Sequence, residues 1–478
     1  MDGRKRTIGL ILLASLALGL RVGAVVALQN DHAGPVSYEH GRIAKNILAG
    51  RGFSIEFLGS EGPTSQQAPF YPLLLAGFYW LFGPETSEAI LAVQLLQCVV
   101  GTALVLAVVW LGSVLVPDKR VVGWTAGLGA AVYPAHVYMV THLQVALWAA
   151  LGLTVLLALS AAPRSRAGTL GPVLAGCLAG LLLLVEPIMA LALPVCAILF
   201  SKRGPSDGED GRWRLRMIGR PVVLLAATVV TITPWTIRNW GVHSELIFIK
   251  STFGYAFWQG NNPISWGTDK IPKPSAEAMR LAHDGTLAGM DRALWEARHE
   301  TLYIDDVLLK PTGYREFAGL SEPERSRLLG RRAWRFVRSH PGRYFRLCLQ
   351  RASFFLLFDR TNPKAANRLY RAATVVWLVL AAVGLMVSLG HWRTLWPSYA
   401  IFGVVFVFHS LVIVSARFRI PVEPLSFVWA AMAVGPLAAR LLPRRRIRVY
   451  PSGQGRAWRH DERTLQGPHW KAGRRRVA

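Results

Sequence analysis

The chain has 478 residues, of which 52% are hydrophobic, and it carries 54 Lys and Arg against 28 Asp and Glu, a formal net charge of +26. That balance excludes an ordinary soluble globule, which is rarely so apolar at this length, and a disordered basic protein, which lacks long aliphatic runs. The positive charge clusters in MDGRKR, in SKRGPSDGEDGRWRLRMIGR and in the tail from Arg440 onward, each flanking an apolar span. This is the positive-inside pattern of a membrane protein, with anionic membrane lipids as the expected partner of the basic tail and no module that reads nucleic acid.

The first element, MDGRKRTIGLILLASLALGLRVGAVVALQ, has the basic start and apolar centre of a signal peptide. Its apolar run is long enough to span a bilayer and more spans follow, so it is expected as a retained first helix. Windows of about 20 apolar residues then predict roughly ten transmembrane helices. They fall near 8–28, 87–116, 121–141, 143–162, 168–185, 187–201, 221–240, 372–391, 397–415 and 422–441. An even count starting inside returns the C-terminus inside, so both basic termini are expected in the cytoplasm of a multi-pass plasma (inner) membrane protein.

The expected fold class is therefore an all-α polytopic membrane protein with juxtamembrane helices and a small, mainly helical outer domain. Residues 1–240 form an N-terminal transmembrane module that includes an outer loop, 29–86. Residues 241–371 form the outer-face domain, 372–441 the C-terminal transmembrane helices, and 442–478 a basic cytoplasmic tail expected to be poorly ordered. Within the first outer loop, APFYPLLLAGFYWLFG (68–83) is apolar but short, and fits a helix in the interface better than a full span. In the second, SEPERSRLLGRRAWRFVRSHPGRYFRLCLQ opens with Ser321 and Glu324 at capping-box spacing. Leu328, Leu329, Trp334, Phe336 and Val337 then give that helix an apolar side against many arginines, suited to a membrane surface or the flank of a bundle.

Candidate chemistry gathers at the outer ends of these elements. Ser37 can cap the helix YEHGRIAKNILAG and Gly50 can close it, which places Glu39 in the first turn at the membrane boundary. There the carboxylate is either a partner of the helix dipole or a general base facing a cavity. Asp31, upstream, is a second acid, a metal ligand or a helix-end residue in water. The four histidines of the N-terminal half, His32, His40, His136 and His142, show no HExxH-type pairing, and Cys98, Cys177, Cys196 and Cys348 show neither metal spacing nor a disulfide framework. GPTSQQAP offers the amides of Gln66 and Gln67 on a rigid turn. Arg238 in TPWTIRNW and Arg417 and Arg419 in VSARFRIPVEP end spans at the outer face, where Arg is unwelcome. Guanidinium suits phosphate, so an anionic partner is expected, with snorkelling or pairing to Glu423 as the other reading. FGYAFWQGNNP adds aromatics and Asn261 and Asn262, a wall and a hydrogen-bonding floor for a polar ligand.

Taken in order, YEHGRIAKNILAGRGFS, GPTSQQAPFYPLLLAGFYWLFG, TPWTIRNW with FWQGNNP, and ARFRIPVEP resemble the multi-spanning C-type glycosyltransferases, the broad group containing protein O-mannosyltransferases and aminoarabinose transferases. The resemblance runs from about residue 8 to 440. It implies transfer of a sugar from a polyprenyl-phosphate donor to a hydroxyl-bearing lipid, glycan or protein acceptor at the outer face of the plasma membrane. It also implies an acid in the first outer loop, where Glu39 stands at the matching place and Asp31 is a second candidate. Relatives commonly carry an acid where this chain has Gln144, and a base where it has Glu186. The sequence shows no required cofactor, and no residue pattern in it supports a divalent metal. With the outward-facing arginines and the order of the motifs, the resemblance tips Glu39 toward catalysis. The rival class is a transporter or flippase for a lipid-linked or anionic substrate, which predicts ionisable groups near the bilayer midplane rather than at helix ends.

Overall fold

In a bilayer a backbone must satisfy its own hydrogen bonds, so apolar runs become helices. The computed structural model describes residues 3–28, 38–163, 168–202, 213–272, 287–299 and 301–441. Its first half contains α1 (Gly3–Leu28), α2 (Tyr38–Leu48), a hairpin of β1 (Ser54–Phe57) and β2 (Ser60–Pro63), α3 (Phe70–Phe82), α4 (Ser87–Leu115) and α5 (Arg120–Val132). These are followed by α6 (Pro134–Met139), α7 (Ala146–Ala161), α8 (Leu170–Val185), α9 (Leu193–Phe200) and α10 (Trp213–His243). The second half contains α11 (Phe253–Gly260), α12 (Leu287–His299), α13 (Ile304–Leu308), α14 (Glu322–Ser339) and α15 (Pro341–Leu356). It closes with α16 (Arg368–Ser388), α17 (Trp392–Leu411) and α18 (Glu423–Leu441).

Every apolar window of the sequence holds a helix, but the windows do not give ten equal spans. Among the described residues, four stretches are long and apolar enough to cross a membrane: Gly3–Leu28, Ser87–Leu115, Leu215–His243 and the run Arg368–Leu411 that joins α16 to α17. Phe70–Phe82, Ala146–Ala161, Leu170–Val185 and Pro187–Phe200 are shorter apolar helices. Proline explains part of the shortening, because it lacks the N–H that continues a helix. Pro134 stands where the 121–141 window breaks into α5 and α6, and Pro187 opens a 3-10 turn, Pro187–Ala192, before α9. With 13 residues, α3 is too short to span; at about 1.5 Å per residue it reaches ~20 Å, against ~30 Å of hydrocarbon.

The main core joins α1, α4, α5, α7, α8 and α9 to the C-terminal helices through residues such as Leu104, Leu147, Ile401 and Val428. Small residues bring helices close where no hydrophobic drive separates helix from lipid. A Cβ on Gly176 or Gly180 of α8 would collide with α10, and Thr228 of α10 donates to the Gly176 carbonyl at 3.2 Å. A second core surrounds the hairpin: Phe57 and Leu58 pack with Phe257, Ile304, Phe317 and Leu329, and with Val412 and Ile413 beyond α17. Met1–Ala439 form one compact unit. The tail, and with it the expected lipid contact of its basic residues, lies outside the described residues.

The hairpin is not foreshadowed by alternating hydrophobicity. Its turn is Leu58–Gly59, with φ of 49° and 79°, between the Phe57–Ser60 pair. Positive φ at both central residues matches the right-handed twist of the strands, and Gly59 makes that affordable despite Leu58.

Candidate functional site

A cavity of about 630 Å³ opens where the first loop, after α1, the segments around α11 and α13, and the loop after α17 meet. Its wall includes Glu39, Arg42, Gln66 and Gln67 from the first loop, and Lys250, Tyr255, Gln259, Asp269 and Lys270 from the middle of the chain. Tyr303, Asp305 and Asp306 come from α13 and its approach, and Arg417, Arg419 and Glu423 from the segment entering α18. Carboxylates, cations and phenols thus share one wall, which suits a ligand that carries both hydroxyls and negative charge.

Glu39 is set there by α2. The helix buries His40, Ile43 and Ala44, which turns Glu39 and Arg42 toward the cavity. Tyr38 has a φ of 53°, a left-handed conformation that costs a tyrosine of the order of 1–3 kcal/mol, and it directly precedes the acid. Gly50, at φ 75°, closes the helix, with Arg51 N donating to Asn46 O at 2.9 Å. Ser37, the expected cap, and Asp31, the second acid, lie outside the described residues. Lys45 is held by Glu85 at 2.8 Å.

The electrostatics show which charges converge. Burial, with the positive charges of Lys250 and Arg417, pushes the His40 imidazole down to about 3. His40 packs edge-on against Tyr71, with ring centroids 5.3 Å apart. Burial pushes the Tyr255 phenol well up, and the negative charges of Asp305 and Glu39 push it further. Burial also raises the Asp305 carboxyl, against hydrogen bonds from Tyr255 Oη at 2.9 Å and Gln259 Nε2 at 3.3 Å. Glu39 thus shares the cavity wall with Lys250, Arg417, Tyr255 and Asp305. Arg417 is exposed and lies over Phe418, its guanidinium 5.6 Å from the ring centroid. Lys250 Nζ donates to Gln67 Oε1 at 3.1 Å.

Several of the residues expected at the substrate are used within the fold. Arg238 donates to Thr64 O at 2.5 Å and Phe53 O at 2.9 Å and stacks on Trp235, fastening the ends of the hairpin to α10. A fork of N–H donors suits converging carbonyls as well as phosphate, so the residue type alone did not decide. Asn261 Nδ2 donates to Phe257 O and Val412 O, and Asn262 Nδ2 donates to Trp258 O and Gln259 O. Both are buried and staple the turn after α11. Neither Arg238 nor these two asparagines are among the described residues that line the cavity. Arg419 reaches the cavity wall but is buried: its Nε donates to Glu423 Oε1 at 2.5 Å and its Nη1 to Leu356 O at 2.7 Å. Glu423 also meets His136 Nε2 at 2.9 Å. Pairing with Glu423, the other reading of this arginine, describes it.

Sequence reasoning missed Lys250, Asp269, Tyr303, Asp305 and Asp306. The pair Asp305–Asp306 in YIDDVLL was the one visible signal, and nothing local distinguishes it from a helix N-terminus, which it also is. Among the described residues no three His, Cys, Asp or Glu side chains converge to hold a metal ion.

No protein-family model matches the sequence, and no curated protein is similar to it. In fold, the chain is similar to the archaeal oligosaccharyltransferase AglB from Archaeoglobus fulgidus, in complex with an inhibitory peptide and a dolichol-phosphate. The TM-score is 0.52 at 15% identity, covering 91% of this chain and 50% of that one. The apo form of the Archaeoglobus fulgidus oligosaccharyltransferase matches at 0.51, with 15% identity over 92% and 51%. ArnT from Cupriavidus metallidurans bound to undecaprenyl phosphate aligns over 90% of this chain and 78% of its own at 17% identity, with a TM-score of 0.37, too loose to argue from. The chain spans about half the length of the oligosaccharyltransferase it matches. The resemblance drawn from the sequence motifs is thus matched at the level of the fold.

Proposed function

We propose that this protein is a membrane glycosyltransferase that moves a sugar from a polyprenyl-phosphate donor to a hydroxyl of a lipid, glycan or protein acceptor in the cavity beside Glu39. One observation carries the reading: an acid and a set of cations from three distant parts of the chain line one cavity at the helix ends. Glu39 takes the acceptor's hydroxyl proton as its oxygen bonds to the anomeric carbon of the sugar. The bond from that carbon to the phosphate oxygen breaks, and its electron pair leaves with the lipid phosphate. Arg417, Lys250 and Arg42 face the developing charge, where fixed cations in a partly dry cavity are worth more than in water. Asp31 is the second candidate acid. No step runs through a metal. The transporter alternative gains nothing from the fold, because the structures it resembles are transferases.

The test is Glu39→Gln in membranes supplied with polyprenyl-phosphate sugars, with lipid and glycan products followed by mass spectrometry. Loss of a general base typically costs roughly 10²–10⁴-fold in rate, so transfer should fall by that factor with membrane insertion unchanged. Full activity in the variant would remove the base and the proposed chemistry with it. Comparing glycoconjugates in cells with and without the protein identifies the acceptor.

A further inference from the structure

The two consecutive helices α14 and α15 carry nine arginines and two glutamates, and the cavity chemistry uses none of them. Some arginines are spoken for inside the fold. Arg325 donates to the Phe57 and Leu320 carbonyls, Arg327 pairs with Glu245, Arg332 pairs with Glu316, and Arg351 is buried against α17. Arg331, Arg335, Arg338 and Arg346 are exposed, and no carboxylate among the described residues meets them. Beside them stand large apolar side chains that the fold leaves bare: Trp334 is 55%, Phe345 63% and Leu349 57% exposed.

The level of this surface is fixed by contacts with α17, the last part of the apolar run that ends at Leu411. Tyr344 Oη of α15 donates to Leu411 O at 3.2 Å, and Arg351 donates to Ser410 O at 2.7 Å and Leu411 O at 3.1 Å. α15 therefore packs along the last turns of α17, with Phe355 against Phe402, Phe406 and His409 and its N-terminal half at the Leu411 end, the level at which an apolar span of this length would reach the headgroups. On α17 itself Val407 and Leu411 are likewise exposed, a second set of bare apolar side chains on the helix against which α15 packs. An aromatic side chain at that depth with arginines next to it is the arrangement of an interfacial amphipathic helix.

We propose that α14 and α15 form a docking surface for the headgroups of anionic phospholipids in the leaflet that borders the cavity. Charge complementarity selects the occupant: unpaired guanidiniums seek phosphate, and the bare apolar residues next to them require acyl chains rather than a soluble anion. A polar protein partner would leave Phe345 and Leu349 in water, so the lipid is the occupant that satisfies both halves of the surface.

The experiment titrates phosphatidylglycerol, and separately phosphatidylcholine and undecaprenyl phosphate, onto the full-length protein in detergent, counting bound lipid by native mass spectrometry. The tail's own basic residues are present in every sample, so only the helix pair differs between proteins. The wild type should hold phosphatidylglycerol in preference to phosphatidylcholine, and the variant Arg331→Gln, Arg335→Gln, Arg338→Gln, Arg346→Gln should lose roughly tenfold or more of that preference. The matching quadruple Lys variant keeps the charge and should retain most of it, which separates a loss of binding from a loss of folding. Raising the ionic strength should weaken phosphatidylglycerol binding more in the wild type than in the Gln variant, the difference being the share carried by the helix pair. An unchanged preference in the Gln variant, or equal loss of both lipids, overturns the proposal. So does a loss seen with undecaprenyl phosphate but not with phosphatidylglycerol, which would make the surface a site for that carrier lipid instead.

Discussion

At the scale of single residues, the neighbours of Glu39 matter as much as the acid. His40 shares its helix turn but points the other way, into apolar packing against Tyr71. Its imidazole is pushed from an ordinary 6.5 down to about 3 by burial and then by Lys250 and Arg417. The depressed value means that, below about pH 6.5, the unfolded chain takes up a proton that the folded chain refuses. Stability is therefore whole above that pH and declines as the pH falls toward 3. Thermal unfolding of the detergent-solubilised protein between pH 7.5 and 5 should steepen in its pH dependence for the wild type and flatten for His40→Phe. Parallel curves would show that the imidazole is not protected. The sequence placed Glu39 in the first turn of α2 and Gly50 just past its end, because caps and the 3.6-residue period are local signals. It did not show that His40, one position away, faces away from the site, because that depends on where Tyr71 and Lys250 come to rest.

At the scale of elements, α14 was the most legible. Its box forms as the spacing predicted, with Ser321 N donating to Glu324 Oε2 at 2.8 Å. Ser321→Ala should cost about 1 kcal/mol, read as a lower unfolding midpoint; no change would mean the box contributes little in the folded protein. What the sequence did not show is the way α14 is clamped. Glu322 accepts from Thr64 Oγ1 at 2.5 Å, Ser65 N at 2.8 Å and Ser251 Oγ at 2.5 Å, drawing the first loop and the approach to α11 together. Opposite, a Cβ on Gly254 of α11 would sit on the Ser326 carbonyl of α14. Gly254→Val should therefore separate the two helices and cost roughly 1–3 kcal/mol, with faster proteolysis of the 245–340 region as the readout. Wild-type resistance would argue that the crossing has room to yield. Such crossings involve residues about 70 positions apart, and no local pattern encodes them.

At the scale of the molecule, the cavity exists because loops from three distant parts of the chain are tied at a few buried points, and the firmest is the Arg419–Glu423–His136 cluster. It joins the end of α15, whose Leu356 carbonyl accepts from Arg419, to the start of α18 and to α6. The guanidinium also lies 4.6 Å from the Trp377 ring of α16. Breaking a buried pair strands a charge, typically at a cost of 3–5 kcal/mol, whereas trimming an exposed cation leaves the fold alone. Two arginines in the same seven-residue motif, ARFRIPV, are thereby separated in what they do. Arg417→Ala should keep the wild-type unfolding temperature and lose roughly tenfold or more in apparent donor affinity, the scale of a charged hydrogen bond. Arg419→Ala and Glu423→Gln should lower the unfolding temperature, with donor affinity per folded molecule little changed. The pair of measurements, melting and donor KM, separates the roles. A fall in donor affinity for Arg419→Ala at wild-type stability would return that residue to the substrate, and wild-type donor affinity for Arg417→Ala would leave the cavity's cations without the proposed phosphate partner. From the motif alone the two were indistinguishable, because which guanidinium finds a carboxylate is settled by a helix turn and a distant histidine.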